Sequence, residues 1–382
     1  MTDMAEVTES TDPDVGRDPS PQPDPGPGPD PGNEPALRAA TASLVFGFAL
    51  SQVSGTVARL GVLDAFDGTV KSAEDLARST GTDARALRRL LRAAASLGLF
   101  AVRDDGRFEL APLGRALGDG EAVRRLTALY GAPSVWRAYG ALEDAVRTGK
   151  PAFECANGVG LFDALEYDGG LADIMHGAMA PVTAAQVPAI VAAYDFGGLR
   201  QLVDVGGGDG ALLAAVLAAH PGVRGTLVER SAALRAAPAV LREAGVEDRC
   251  TLVEGDFFVS VPPGGDAYLL KNILHNWDDA ACVRLLRRCR DAAEPPGRVL
   301  VPTLVLPEEK DFSGLPEAQV MALSDIEMMV LTDGRERTLA EYGRLFADAG
   351  LELGRAVPLP GLPHHFMLEA HPSGASVDAG VA

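Results

Sequence analysis

Hydrophobic positions divide the chain into a helical half and a half in which strands and helices alternate. Between Leu37 and about Gly61, Phe46, Leu50, Val53, Val57 and Leu60 recur at steps of four and three, which puts them on one helix face. Leu44, Val45 and Phe48 widen that stripe beyond what a lone small domain covers, so a second subunit is expected against it. Residues 72–83 read as a capped helix and turn, 84–97 as a second helix, and 99–110 as a hairpin around Asp105-Gly106. That order is a winged-helix pattern. From about 115 to 195 the period stays helical. After residue 200, strands are expected at 201–205, 225–229, 250–253, 266–270 and 298–305, and near 351–357 and 364–369, with helices between them. Such alternation predicts an α/β fold with a doubly wound, Rossmann-like sheet, its ligand outside the carboxyl ends of the strands.

The first segment breaks the pattern. Residues 1–36 hold nine of the 27 prolines, nine acids and a single arginine, and almost nothing large and apolar. Such a segment cannot bury enough surface to offset its chain entropy, so a disordered tail is expected. The remaining chain keeps a net charge of −11 out of −19. That balance argues against nucleic acid or an anionic membrane as a main partner, although Arg85, Arg88, Arg89 and Arg92 share one face of the second helix. No uninterrupted apolar run approaches the ~20 residues of a membrane span, and the acidic N-terminus is no signal peptide. Cys155, Cys250, Cys282 and Cys289 lack metal-ligand spacing and read as buried or half-buried thiols in a reducing cytoplasm, with no metal site expected.

Candidate chemistry concentrates at the strand ends. The run 202–210 is Leu-Val-Asp-Val-Gly-Gly-Gly-Asp-Gly, followed by an Ala-rich helical segment. Glycines there let the chain turn sharply and let a ligand approach the backbone. Gly206, Gly208 and Ala211 also satisfy the dinucleotide fingerprint, so the loop alone leaves the cofactor open. Glu229 ends the next strand, where an acid can accept from ribose hydroxyls. Asp256 and Phe257 follow the third and suit an adenine amine and ring. Lys271 and His275 follow the fourth.

The set VDVGGGDG, EGDFF, LLKNILHNWDD and DGRERT resembles the S-adenosylmethionine-dependent O-methyltransferases of the caffeic-acid and hydroxyindole type, which include bacterial natural-product tailoring enzymes. The resemblance runs from about residue 37 to 370. It implies a winged-helix dimerisation and substrate-lid domain at 37–190 and a class I methyltransferase domain at 191–372, which leaves the acidic tail at 1–36 and a flexible tail at 373–382. It implies a cytoplasmic homodimer that binds S-adenosyl-L-methionine through Gly206, Gly208, Glu229, Asp256, Phe257, Lys271 and Thr183. A phenol has a pKa near 10, so a histidine within reach is needed to take its proton as the oxygen is methylated. His275 matches that base, and Glu336, in DGRERT, matches an acid that orients its ring.

Met175, Met179 and Met328 correspond to positions lining the family's pocket, and methionine suits flat aromatic ligands. Met329, Trp136 and Phe162 are weaker candidates. The chain departs from the family at two places. Thr303 stands where a second acid beside the base is expected, and Asn276 stands where many members have Asp. Fewer negative neighbours make a weaker base. The departures therefore point to a more acidic hydroxyl or to a fold-related enzyme that hydroxylates, decarboxylates or cyclises. A winged-helix regulator sensing the cofactor is a third, non-enzymatic reading.

Overall fold

The computed structural model describes residues 34–312 and 315–374. The chain divides into two units, Met1–Val45 and Phe46–Ala382. In the first, the described residues 34–45 are helical and belong to α1 (Glu34–Arg59). The expected disordered tail thus lies outside the described residues except for 34–36, which open this helix. Of the expected C-terminal tail, only 373 and 374 are described.

The second unit begins with the winged-helix pattern. In α2 (Ala73–Thr80) the Ser72 hydroxyl accepts from the Asp75 amide while the Asp75 carboxylate accepts from Ser72, a capping box. Asp83 caps α3 (Ala84–Ser96) by accepting from the Ala86 amide. Strands β1 (Phe100–Val102) and β2 (Phe108–Leu110) pair antiparallel. Val57, Phe66, Leu76, Leu91, Phe100 and Phe108 fill the space between these elements. Phe46 and Phe48, by contrast, are exposed, and Leu50 nearly half so. The expected stripe therefore splits: Val53 and Val57 pack within the chain, whereas its N-terminal end and Leu60 are exposed. Of the four arginines on α3, Arg88 pairs with Glu74 at 2.8 Å.

Helices α4 (Pro112–Asp119), α5 (Glu121–Tyr130), α6 (Pro133–Gly140), α7 (Leu142–Thr148), α8 (Ala152–Asn157) and α9 (Leu161–Tyr167) lead into the long α10 (Gly169–Ala193). Both α1 and α10 are long and apolar enough to cross a membrane by length and composition. This corrects the reading by uninterrupted runs, because mean hydropathy averages over the Ser, Thr, Gln and His residues that break a run. In α10, Leu171, Ala172, Met175, Ala178, Ala189 and Ile190 are buried in the protein core.

The sheet follows: β3 (Gln201–Val205), α11 (Ala211–Ala219), β4 (Arg224–Glu229), α12 (Ser231–Leu234), α13 (Ala237–Glu243), β5 (Cys250–Glu254), β6 (Gly265–Leu269), α14 (Asp279–Ala292) and β7 (Ala293–Leu304). Then come α15 (Glu309–Phe312), α16 (Ala318–Leu331), α17 (Leu339–Asp348), β8 (Leu351–Pro358) and β9 (His365–Pro372). Strand order is β5-β4-β3-β6-β7-β9-β8. The first five run parallel and β9 is antiparallel to both neighbours. Alternate residues feed two cores: Leu202 and Leu227 pack on one face, Val203 and Val228 on the other. Each such fully buried side chain contributes roughly 1.5–3 kcal/mol. The order reverses between β3 and β6, which opens a crevice at their carboxyl ends, where the glycine loop lies.

Strand β7 starts at Ala293, five residues before the expected 298. Pro295 and Pro296 hid that start, since proline cannot donate to a ladder, and the pairing shifts register between Gly265 and Ala267. Among the cysteines, Cys155 is exposed rather than buried, on the short helix α8.

Candidate active site

Around the crevice the glycine loop is built by backbone. Gly206 and Gly208 have φ of +72° and +62°, a region that side chains disfavour. A Cβ on Gly206 would lie 2.6 Å from Ile273 Cδ1, whereas one on Gly208 would meet nothing within 4 Å. The loop is thus packed from behind at one glycine and open at the other. Glu229, at the end of β4, accepts from the Gly208 amide at 2.9 Å and from the Arg230 amide at 2.7 Å. Each carboxylate oxygen keeps a second lone pair for a ligand hydroxyl. Burial nevertheless raises its pKa, with the two amides pulling the other way.

Lys271 and Thr183, 88 positions apart, meet: the Lys271 ammonium donates to Thr183 Oγ1 at 2.8 Å. Burial pushes Lys271 down to about 8, against the charges of Asp204 and Asp209. Asp204, inside the glycine-loop strand, is 1% exposed, and neither carboxylate oxygen has a hydrogen-bond partner. Asp256 is exposed, with Oδ1 accepting from the Phe258 amide at 2.7 Å. Phe257 is half-buried, 3.4 Å from where a Gly206 Cβ would stand. An open glycine backbone, a carboxylate at the next strand end, and an aromatic ring and acid at the third fit a nucleoside cofactor such as S-adenosylmethionine.

The second half of the site is made by side chains. His275 sits in a single helical turn after β6, and its Nδ1 lies 3.1 Å from Glu336 Oε1. Ser324 of α16 donates to that same oxygen at 2.9 Å, and Asp325 accepts from the Glu336 amide at 2.8 Å. Burial alone would raise the Glu336 carboxyl, but His275 and the Ser324 hydroxyl hold it below its ordinary value. With Nδ1 engaged, Nε2 is the nitrogen left for a substrate proton.

Arg337, wholly buried, holds the His275 turn from behind. It donates to the carbonyls of Leu274 at 2.9 Å and Trp277 at 2.8 Å and pairs with Asp279 at 2.8 Å. Gly334 passes so close to the His275 carbonyl that a Cβ there would collide with it. The DGRERT segment therefore fixes both the ring and the backbone of His275.

Two expectations change here. Thr303 is buried within β7 and bonds the Tyr342 hydroxyl at 3.0 Å, so a neutral pair occupies that position. A second acidic residue nevertheless lies within electrostatic reach of the base. Glu327 of α16, one turn beyond Ser324, is largely buried, accepts from Tyr130 at 2.8 Å and feels the charges of His275 and Glu336. Burial raises the Glu327 carboxyl, so Glu336 remains the anion paired with His275. Asn276 turns back on its own loop, donating to the Asn272 carbonyl at 3.0 Å. Glu327, Tyr130 and Ser324 went unnoticed in the sequence, and Arg337 was given no role within DGRERT. The spacing of Ser324, Glu327 and Met328 on one helix face was the available signal.

Met175 and Met328 are 8% exposed, while Met179 is 37% exposed. Met175 belongs to the helical core of α5–α10, so it serves packing there. Phe162 stacks on Trp277, ring centroids 5.2 Å apart. His365 approaches Gln186, with Nε2 atoms 3.5 Å apart.

Residues 139–352 match the model of the O-methyltransferase domain, and residues 42–119 match that of the O-methyltransferase dimerisation domain. The chain belongs to the O-methyltransferase family. This O-methyltransferase is 37% identical over 325 residues to phenazine O-methyltransferase PhzM of Lysobacter antibioticus, covering 84% of this chain and 93% of that protein. Its fold is similar to that of mitomycin 7-O-methyltransferase MmcR, with TM-score 0.83 and 33% identity over 89% of this chain and 98% of that one. It is also similar to NcsB1, an O-methyltransferase from neocarzinostatin biosynthesis, solved with S-adenosylmethionine and 2-hydroxy-5-methyl naphthoic acid. There the TM-score is 0.75 and the identity 31%, over 84% of this chain and 95% of the other. The enzyme is S-adenosylmethionine-dependent, and its winged-helix half falls in the dimerisation domain.

Proposed function

We propose that the enzyme methylates a phenolic hydroxyl of an aromatic small molecule in secondary metabolism, with His275 as the general base. The observation that carries this reading is the pairing of His275 Nδ1 with Glu336, which leaves Nε2 free on the turn after β6, the strand next to the one that carries the glycine loop. When bound, S-adenosylmethionine supplies an electrophilic methyl group. Gly206 and Gly208 shape the loop against it, Glu229 holds its ribose, and Asp256 with Phe257 holds its adenine. Lys271 and Thr183, bonded to each other, would lie close to the cofactor. His275 takes the hydroxyl proton at Nε2 as the oxygen is methylated, and Glu336 stabilises the resulting imidazolium. Met179 and Met328 line the aromatic site, while Met175 packs in the helical core.

The Glu336 carboxylate paired with His275 favours methyl transfer over the non-methylating readings, which drew on fewer negative neighbours around the base. The enzyme acts as a homodimer in the cytoplasm, joined in part through the exposed apolar residues Phe46 and Phe48. It uses neither nucleic acid nor membrane as a partner. Labelled methyl transfer to a panel of hydroxylated naphthoates and phenazines is the test, with S-adenosylhomocysteine counted against substrate consumed. Substrate loss without equivalent S-adenosylhomocysteine would sink it.

A further inference from the structure

Glu327 does not belong among ordinary core residues. It lies on a helix whose neighbouring positions are Met328 and Met329, and it keeps a carboxyl that is mostly removed from water. One oxygen accepts from Tyr130, a residue of α5 that is 197 positions away in sequence. No group among the described residues donates to the other oxygen, although that oxygen is not sealed off from solvent as Glu336 Oε2 is. Glu336 Oε2 is itself buried without a partner. Ser324, one turn before Glu327 on the same helix face, donates to Glu336 against His275, so Glu327 looks onto the space beside the base.

The other Glu327 oxygen meets water while the site is empty, but an acceptor left unpaired once a bound ring has displaced the water costs about 1–3 kcal/mol. An enzyme that needed only an apolar slot for a flat ring would lose nothing by placing leucine there. We propose that Glu327, held by Tyr130, is a recognition site for a second hydrogen-bond donor on the substrate. The favoured substrate is then a phenol carrying a neighbouring hydroxyl or amino group, bound with that donor on Glu327 and the reacting oxygen on His275. Burial raises the Glu327 carboxyl above its ordinary range, with the Tyr130 hydrogen bond and His275 opposing and Glu336 adding to the rise. A substrate donor takes the place of the lost water.

A site built to bond such a donor rejects the analogue lacking it by far more than a missing methyl group can explain. The inference rests on the O-methyltransferase reading, so its test separates the two. Enzyme loaded with S-adenosylhomocysteine is titrated calorimetrically with 2,3-dihydroxynaphthalene and with 2-naphthol, and methyl transfer from S-adenosylmethionine to each is timed. The wild type is expected to prefer the diol by about 100-fold or more in affinity and in kcat/KM. Glu327→Leu and Tyr130→Phe are expected to shrink that ratio at least tenfold, through KM on the diol, and Glu327→Gln to retain part of it.

Equal affinity of the wild type for the two probes, or for neither, would overturn the proposal. So would an unchanged ratio in Glu327→Leu. A uniform fall in kcat on both probes, with the acid limb of the pH profile displaced, would also overturn it, because Glu327 would then act on His275 and not on the substrate. If the binding difference holds while no phenol yields S-adenosylhomocysteine, the methyltransferase reading fails and the recognition site stands.

Discussion

The two halves of this site are constructed in opposite ways. The cofactor half comes from consecutive strand ends, β3, β4, β5 and β6, each supplying one short stretch to one crevice. Its decisive features belong to the backbone: two glycines at positive φ and amides that tether Glu229. The base half is gathered from distant places: His275 after β6, Ser324 and Glu327 on α16, Glu336 beyond it and Tyr130 on α5. Sheet topology positions the first half almost automatically. The second depends on particular side chains keeping particular partners. Substitutions should therefore separate cofactor binding from catalysis.

The largest separation is expected at His275. His275→Ala removes the base, and methyl transfer should fall by about 10²–10⁴-fold. S-adenosylmethionine affinity, measured by calorimetry, should stay within about threefold, because no cofactor contact is deleted. A parallel loss of affinity would show that the halves are not separable. Arg337→Met comes next. It strips donors from the carbonyls of Leu274 and Trp277 and leaves Asp279 with only Arg335. Asp279 is half exposed, so the loss is below that of a sealed ion pair, about 2–3 kcal/mol in urea unfolding. Activity should fall further than the folded fraction, since the His275 turn loosens first. Arg337→Lys should restore only part, because one ammonium cannot reach both carbonyls and the carboxylate.

The same contrast decides what could be read from the sequence. Gly206, Glu229, Asp256 and His275 were accessible because each follows its own apolar run at a spacing the sheet dictates. All the strands were placed except the start of β7, which prolines concealed. Glu327 and Tyr130 were not accessible. Either alone is an ordinary helix residue, and only folding brings α5 against α16. Thr303 shows the converse. Its position seemed to mark a missing charge at the base, but within β7 it pairs with Tyr342, and the second acidic residue near His275 comes from elsewhere. Pairwise meaning of this kind does not exist until the chain is packed.

On the cofactor side the expected effects are smaller. Ala at a positive φ costs about 1–2 kcal/mol. Gly206→Ala adds a clash with Ile273, so it should destabilise the cofactor-free enzyme more than Gly208→Ala. Gly208→Ala should lose more affinity for S-adenosylmethionine than stability, because its Cβ enters open space that a ligand would fill. Thermal melts with and without cofactor resolve the pair, and equal ratios in both variants would erase the distinction.

The smallest effect sharpens the comparison most, since it concerns a charge that the cofactor half keeps without a partner. Burial first, and then the charge of Glu229, raises Asp204 to about 7, with Lys271 opposing and Asp209 adding to the rise. Its folded pKa therefore lies above the ordinary aspartate value of 3.8. The sign follows: the folded state holds this proton more tightly than the unfolded chain does. The associated stability is complete below the unfolded pKa and is lost as pH rises through about 7. Asp204→Asn carries no such proton, so its advantage over the wild type should grow between pH 5.5 and pH 8 by about 1–2 kcal/mol. Urea midpoints of the cofactor-free proteins at those two pH values measure it. A difference that stays flat with pH would mean that Asp204 holds no protonation strain. The cofactor half would then owe its response to pH to Glu229 and Lys271 and not to this buried strand carboxyl.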